Sequence, residues 1–307
     1  MKKLIVLLVV LVAFQLTQAQ EKVWLGKRIT NTAIFLDPTE VQMFGSITQL
    51  TYDQSTKIKN YRKPNQPNAT KNITRDVDEA TNSRQYIPFN FGGALPIVSK
   101  ILTDKKAKSW EIFAEVGVTT QFEWRHMDTG GIKRNNLNSD YRINLNYVRA
   151  FEKSSYRIRM FHVSSHLGDD FISQQGITFA YPTTMNYEQL DFTYFRDINQ
   201  KYSYYLGAGS VIRPESIRLP FSYMLGSEAN WKNSERKWGW TAGINIKGHQ
   251  TTDFYPNVKI AAGPAFFSSF KDEPFRIVFE YYNGHIPYSQ YEVEKVSWFG
   301  AGIYFYI

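Results

Sequence analysis

Within five consecutive positions the chain carries His162, Ser164, Ser165 and His166, with Asp169 and Asp170 close behind. A serine hydroxyl becomes a useful nucleophile when an imidazole takes its proton, and the imidazole serves best when a third group fixes its tautomer. His162 and Ser164 are two residues apart, the spacing that places both on one face of an extended strand. Asn186 and Glu188 repeat that spacing and supply an amide and a carboxylate. If a hairpin joins the two segments, Asn186 or Glu188 reaches His162, and the row can perform acyl transfer. Ser165, His166 and Asp169 then stand where a substrate would bind. The plainer alternative makes His162 and Ser164 interfacial structural residues and gives His166 and Asp169 a turn-ordering role beside Gly168. Asp169 and Asp170 offer too few ligands for calcium, which takes about six or more oxygens. The chain has no cysteine, so a thiolate metal site is excluded, and neither a metal nor a cofactor is expected.

The elements that must hold this row are strands. Tyr141, Ile143, Leu145 and Tyr147 alternate with Arg142, Asn144 and Asn146. Trp110, Ile112, Ala114, Val116 and Val118 alternate in the same way with Glu111, Glu115, Thr119 and Gln121, and Trp238 to Lys247 repeats the pattern. Alternation of this kind marks strands with one apolar and one polar face, as in a barrel that crosses lipid. Twelve segments qualify, near 41–53, 84–97, 108–124, 139–151, 155–166, 186–197, 201–213, 219–231, 236–248, 256–269, 274–284 and 296–307. An even number suits an all-β, twelve-stranded antiparallel transmembrane barrel. Alternate connections are short, as at Glu152-Lys153-Ser154, while 54–83 and 167–185 are the longest. Short periplasmic turns and long external loops put both termini in the periplasm and the His162 row near the outer surface. Arg142, Arg157, Arg159 and Arg276 then face Glu115, Asp191 and Glu280 across the lumen. Paired, they fill a narrow interior; unpaired, they line a small charged pore.

Lys2 and Lys3 precede an apolar run from Leu4 to Phe14 and a Thr17-Gln18-Ala19 cleavage pattern. This predicts a signal peptide over 1–19 and a barrel over 20–307, because the run is well short of the ~20 residues a spanning helix needs. With 20 Tyr, 22 Phe and no apolar stretch of helical spanning length, the chain suits strands in the outer membrane of a diderm bacterium. The net charge of +8 is spread along the chain, which fits contact with anionic outer-membrane lipids and excludes a nucleic-acid partner. No domain of plug size precedes the first strand, which argues against a large TonB-dependent transporter. Oligomeric state is not fixed by any of these features.

The C-terminal alternation of Phe299, Ala301, Ile303, Phe305 and Ile307 resembles the assembly signal of bacterial outer-membrane barrels, and implies the insertion machinery as a partner. His162-x-Ser164 at the outer end of a strand resembles outer-membrane phospholipase A and the lipid A 3-O-deacylase family. The first resemblance implies Ser164 as nucleophile, His162 as base and Asn186 as its orienter; the second prefers Glu188. Those families usually continue with asparagine where Ser165 stands here. Over most of the chain, Leu36-Asp37-Pro38, Asp140-Tyr141-Arg142, Ser164 to Asp169 and Tyr282-x-Gly284-x-x-Pro287-Tyr288-Ser289-Gln290 resemble a bacterial family known as a domain of unknown function, which implies no activity. Two functional expectations follow: a surface-facing acyl hydrolase of phospholipid or lipid A, or a non-enzymatic, narrow-lumen barrel.

Overall fold

The computed structural model describes residues 22–52, 83–102, 107–126, 131–168, 185–214, 218–233, 237–267, 273–288, 292 and 295–306. The predicted signal peptide and Asp169 lie outside the described residues. The strands are β1 (Val23–Trp24), β2 (Met43–Tyr52), β3 (Ser83–Ile101), β4 (Ala107–His126), β5 (Ile132–Phe151), β6 (Ser154–Leu167) and β7 (Met185–Asp197). They continue as β8 (Tyr202–Pro214), β9 (Phe221–Lys232), β10 (Trp238–His249), β11 (Asn257–Phe266), β12 (Phe275–His285) and β13 (Lys295–Phe305). From β2 to β13 every strand pairs antiparallel with its neighbour in sequence, and β13 pairs with β2, so twelve strands close on themselves. Closure leaves no free sheet edge, which is what a β-structure needs to satisfy its backbone in lipid.

Alternation along each strand decides what faces out. On β5, Ile143 is 59% exposed and Leu145 46%, while Asn144 between them is 1% exposed. Ile47, Phe91, Val116, Phe279 and Phe299 extend the same exposed apolar belt around the wall. Among the described residues no helix is long and apolar enough to cross a membrane, so the strands carry the belt. Each of the twelve expected strands is present. The largest boundary difference is at β5, which starts at Ile132 instead of 139. Residues 132–138 show no apolar alternation, yet they stay extended because β4 continues beside them, with Trp124 opposite Arg134 and His126 opposite Ile132.

The lumen departs most from expectation. After β1, which pairs with Ser99 and Val98 of β3, residues 25–42 enter the barrel before the chain joins the wall at Met43. Ile34, Phe35, Leu36, Asp37, Glu40 and Val41 are all buried there. Gly92 and Gly117 are register partners on β3 and β4, and a Cβ at either would meet Val41 Cγ1 at 2.6 or 3.1 Å. Missing side chains in the wall thus make room for the inner segment. The expected luminal pairing needs correcting accordingly. Arg157 and Arg159 take Glu40 of the inner segment as their shared carboxylate, with Arg159 Nη1 3.0 Å from Glu40 Oε2 and Arg159 Nη2 2.8 Å from Asp191. Glu280 pairs with Lys259, Arg276 with Glu273, and Glu115 receives the amides of Asn144 and Asn146. Among the described residues, what occupies the lumen is a strap of the chain itself.

Candidate functional site

Antiparallel pairing of β5, β6 and β7 builds the outward row directly. Ile143, His162 and Glu188 are neighbours across the three strands; one step toward the end that carries the long connections, Tyr141, Ser164 and Asn186 are neighbours; one step further, His166 lies beside Ser139. Below them the rows are apolar, with Leu145, Met160 and Leu190, then Tyr147, Ile158 and Phe192. Exposed Ile143 and Tyr141 of β5 flank these rows, so the polar groups of β6 and β7 are set into the apolar outer face.

His162 Nδ1 is 3.0 Å from Glu188 Oε1, with the two side chains 42% and 23% exposed. A carboxylate at Nδ1 favours the tautomer protonated there and leaves Nε2 as the basic nitrogen. Ser164 Oγ is 3.0 Å from His166 Nε2, so its hydroxyl turns to the histidine after it and away from His162. The His166 ring meets Tyr141 edge-on, with centroids 5.7 Å apart. Asn186 is the cross-strand neighbour of Ser164, whereas Glu188 is that of His162. Ser165 is on the other face. It is fully buried and donates to Asp140 inside the lumen, because adjacent residues of a strand point to opposite sides. A place for its side chain beside a lipid substrate is thereby corrected.

A family model described as protein of unknown function DUF1207 matches residues 62–307. The chain belongs to this family. No curated protein matches it. Among solved structures, the Salmonella typhi outer membrane phospholipase dimer with bound calcium is 10% identical, with a TM-score of 0.51 over 86% of this chain and 90% of that one. An active-site mutant of Escherichia coli outer membrane phospholipase A is 11% identical, with a TM-score of 0.50 over 90% of this chain and 94% of that one. At such identity the likeness is one of fold: this DUF1207 chain has the barrel architecture of outer-membrane proteins.

The match begins at residue 62, beyond the inner strap of 25–42, and the strap is also what sequence reasoning missed. Its charged groups pair with side chains of the wall. Lys247 Nζ is 3.1 Å from both oxygens of Asp37 and donates to Thr39 as well. Burial alone would raise the Asp37 pKa, but Lys247, Arg159 and the hydrogen bonds from Thr39 outweigh it and hold the carboxyl well below the usual carboxylate range. At the end of the barrel that carries the long connections Arg218 bonds Glu292 and His249, and burial raises the Glu292 pKa despite that arginine. Among the described residues no group of His, Asp and Glu is arranged to hold a metal. A clue was present in the sequence: Ile34-Phe35-Leu36 is an apolar triplet ahead of the first strand, followed by Asp37 and Glu40, where the inward arginines had too few carboxylates.

Proposed function

We propose that the chain is exported by its 1–19 leader, inserted into the outer membrane, and there hydrolyses acyl esters of outer-leaflet phospholipid or lipid A. The observation that carries this reading is the Glu188 to His162 hydrogen bond on the outward face, one row from Ser164. Glu188 fixes the imidazole with Nε2 as base; Ser164 reaches it by rotating about χ1 from its His166 partner to another staggered well. Ser164 Oγ bonds to the ester carbonyl carbon as its proton passes to His162 Nε2. The carbon–oxygen bond to the leaving alcohol breaks, and His162 returns the proton to that oxygen. Water then attacks the acylated serine, losing a proton to His162, and the fatty acid leaves as Ser164 recovers its hydrogen. Asn186, beside Ser164, carries an amide that can donate to the tetrahedral oxyanion. Ser165, turned inward, takes no part.

The filled lumen favours a second reading, a non-enzymatic and non-conducting structural barrel. Fatty-acid release from outer-membrane lipid vesicles by the purified protein distinguishes the two. Activity lost in Ser164→Ala and in His162→Ala supports the hydrolase, and its absence from the unmutated protein leaves the structural barrel.

A further inference from the structure

Along β8 the outward face carries Leu206, Ala208 and Ser210, opposite Tyr194, Phe192 and Leu190 of β7, while Val211 turns inward and packs with Phe161, Val163 and Tyr187. Strict alternation would send Arg213 inward after Val211. The register shifts instead: Gln189 of β7 faces Val211, but its neighbour Glu188 faces Arg213, so Ile212 is an extra residue on β8. A bulge of this kind re-aims the side chain that follows it. Arg213 is accordingly exposed and joins the outward row, which reads Ile143, His162, Glu188 and Arg213 across β5, β6, β7 and β8. Inside the barrel the nearby Tyr187 ring already has a guanidinium over it, that of Arg218, 4.3 Å from its centroid.

We propose that Arg213 binds the phosphate of the lipid whose ester meets Ser164, so that the row selects phosphate-bearing lipids over neutral acylglycerols. The inference rests on the acyl-hydrolase reading of that row and names what its substrate must carry. What meets an outward face of this barrel is lipid, and the anion that lipid offers is phosphate. A planar guanidinium presents paired N–H donors that match two phosphate oxygens, and such charge-assisted bonds are about twice as strong as neutral ones. Two strand spacings, ~10 Å, separate the Arg213 backbone from that of His162. An extended arginine and the few bonds between ester and phosphate, in a glycerophospholipid or on a phosphorylated glucosamine, cover that span. Glu188 stands between Arg213 and His162, so its charge repels the phosphate from the imidazole and favours the guanidinium beyond it. Leu145, Met160 and Phe192, exposed in the rows below His162, then lie under the acyl chains.

The test uses the full mature protein in an amine-oxide detergent, with phosphatidylglycerol, lipid A and diacylglycerol as probes. Fatty-acid release from each phosphate-bearing lipid is taken relative to release from diacylglycerol. Arg213→Gln should lower that ratio by at least about tenfold, and the lipid for which it falls is the substrate. Arg134→Gln removes another exposed arginine, the one that lies over Trp124, and should leave the ratio as it was. Native mass spectrometry of the same samples reads bound lipid without turnover: the unmutated protein should retain one phosphate-bearing lipid that Arg213→Gln releases. The gel shift between heated and unheated samples identifies folded protein. No release from any of the three probes overturns the hydrolase reading alone, and lipid retention then decides for the phosphate site. An unchanged ratio in Arg213→Gln, an equal fall in Arg134→Gln, or equal lipid retention with and without Arg213 would each overturn the proposal.

Discussion

The rim around Ser164 and the lumen around Glu40 each set a carboxylate against basic side chains, to opposite effect. In the lumen Arg157 and Arg159 are each 1% exposed, and their guanidinium groups close on Glu40 and Asp191. At the rim His162 and Glu188 form a single bond while partly exposed, and Ser164 has a histidine on either side of it along the same strand face. Dry networks of several mutually paired charges hold one arrangement and resist change. A half-exposed pair with a rotatable hydroxyl beside it can exchange partners during a reaction, which a locked network cannot. The difference separates the group that holds the barrel's interior from the group suited to chemistry.

The comparison breaks first at Glu40. Glu40→Leu leaves Arg159 with Asp191 and Arg157 with the Thr32 carbonyl but without its bonded carboxylate, and should cost ~3–5 kcal/mol of folding stability, read from urea unfolding of the reconstituted barrel. If the cost is under a third of that, the lumen network is not what holds the strap. At the rim, His162→Ala should lower lipid hydrolysis by about a hundredfold or more while changing stability by no more than ~0.5 kcal/mol. His166→Ala should cost far less rate, because among the described residues a carboxylate orients His162 and none orients His166; equal losses would make His166 the base. Glu188→Gln keeps a hydrogen-bond acceptor but not the charge, and should reduce kcat about tenfold with KM little changed.

The smallest effect concerns pH. The Asp37 carboxyl titrates lower in the folded protein than in the unfolded chain, so its contribution is present above its ordinary range, near ~3.9, and is lost as pH falls toward the folded value. Asp37→Asn should flatten that acid limb of the stability curve, measured by unfolding midpoints at successive pH values. An acid limb identical in the variant would detach Asp37 from the strap's anchoring.

Period-two patterning made the wall legible, because lipid outside and polar filling inside force every strand to alternate. The same parity placed His162, Ser164, Asn186 and Glu188 on one outward face and left Asn186 or Glu188 as the neighbour of His162, a choice that the register makes for Glu188. It also contained the correction for Ser165, since a neighbour of Ser164 must point the other way. The rotamer of Ser164 was not legible, because adjacent staggered wells differ by little energy and local contacts choose between them. Nor was the strap. Residues 25–42 follow no period, because an irregular segment inside a barrel is shaped by the cavities and charges it meets, here Gly92, Gly117, Lys247 and the paired arginines.

The most direct test of the central claim is fatty-acid release from outer-membrane phospholipid and lipid A vesicles, comparing the unmutated protein with Ser164→Ala in the same folded state. The account predicts release by the first and none by the second, with urea midpoints that coincide. Equal release by both, or none from the unmutated protein on either lipid, would contradict it and leave a barrel whose chemistry is confined to holding itself closed.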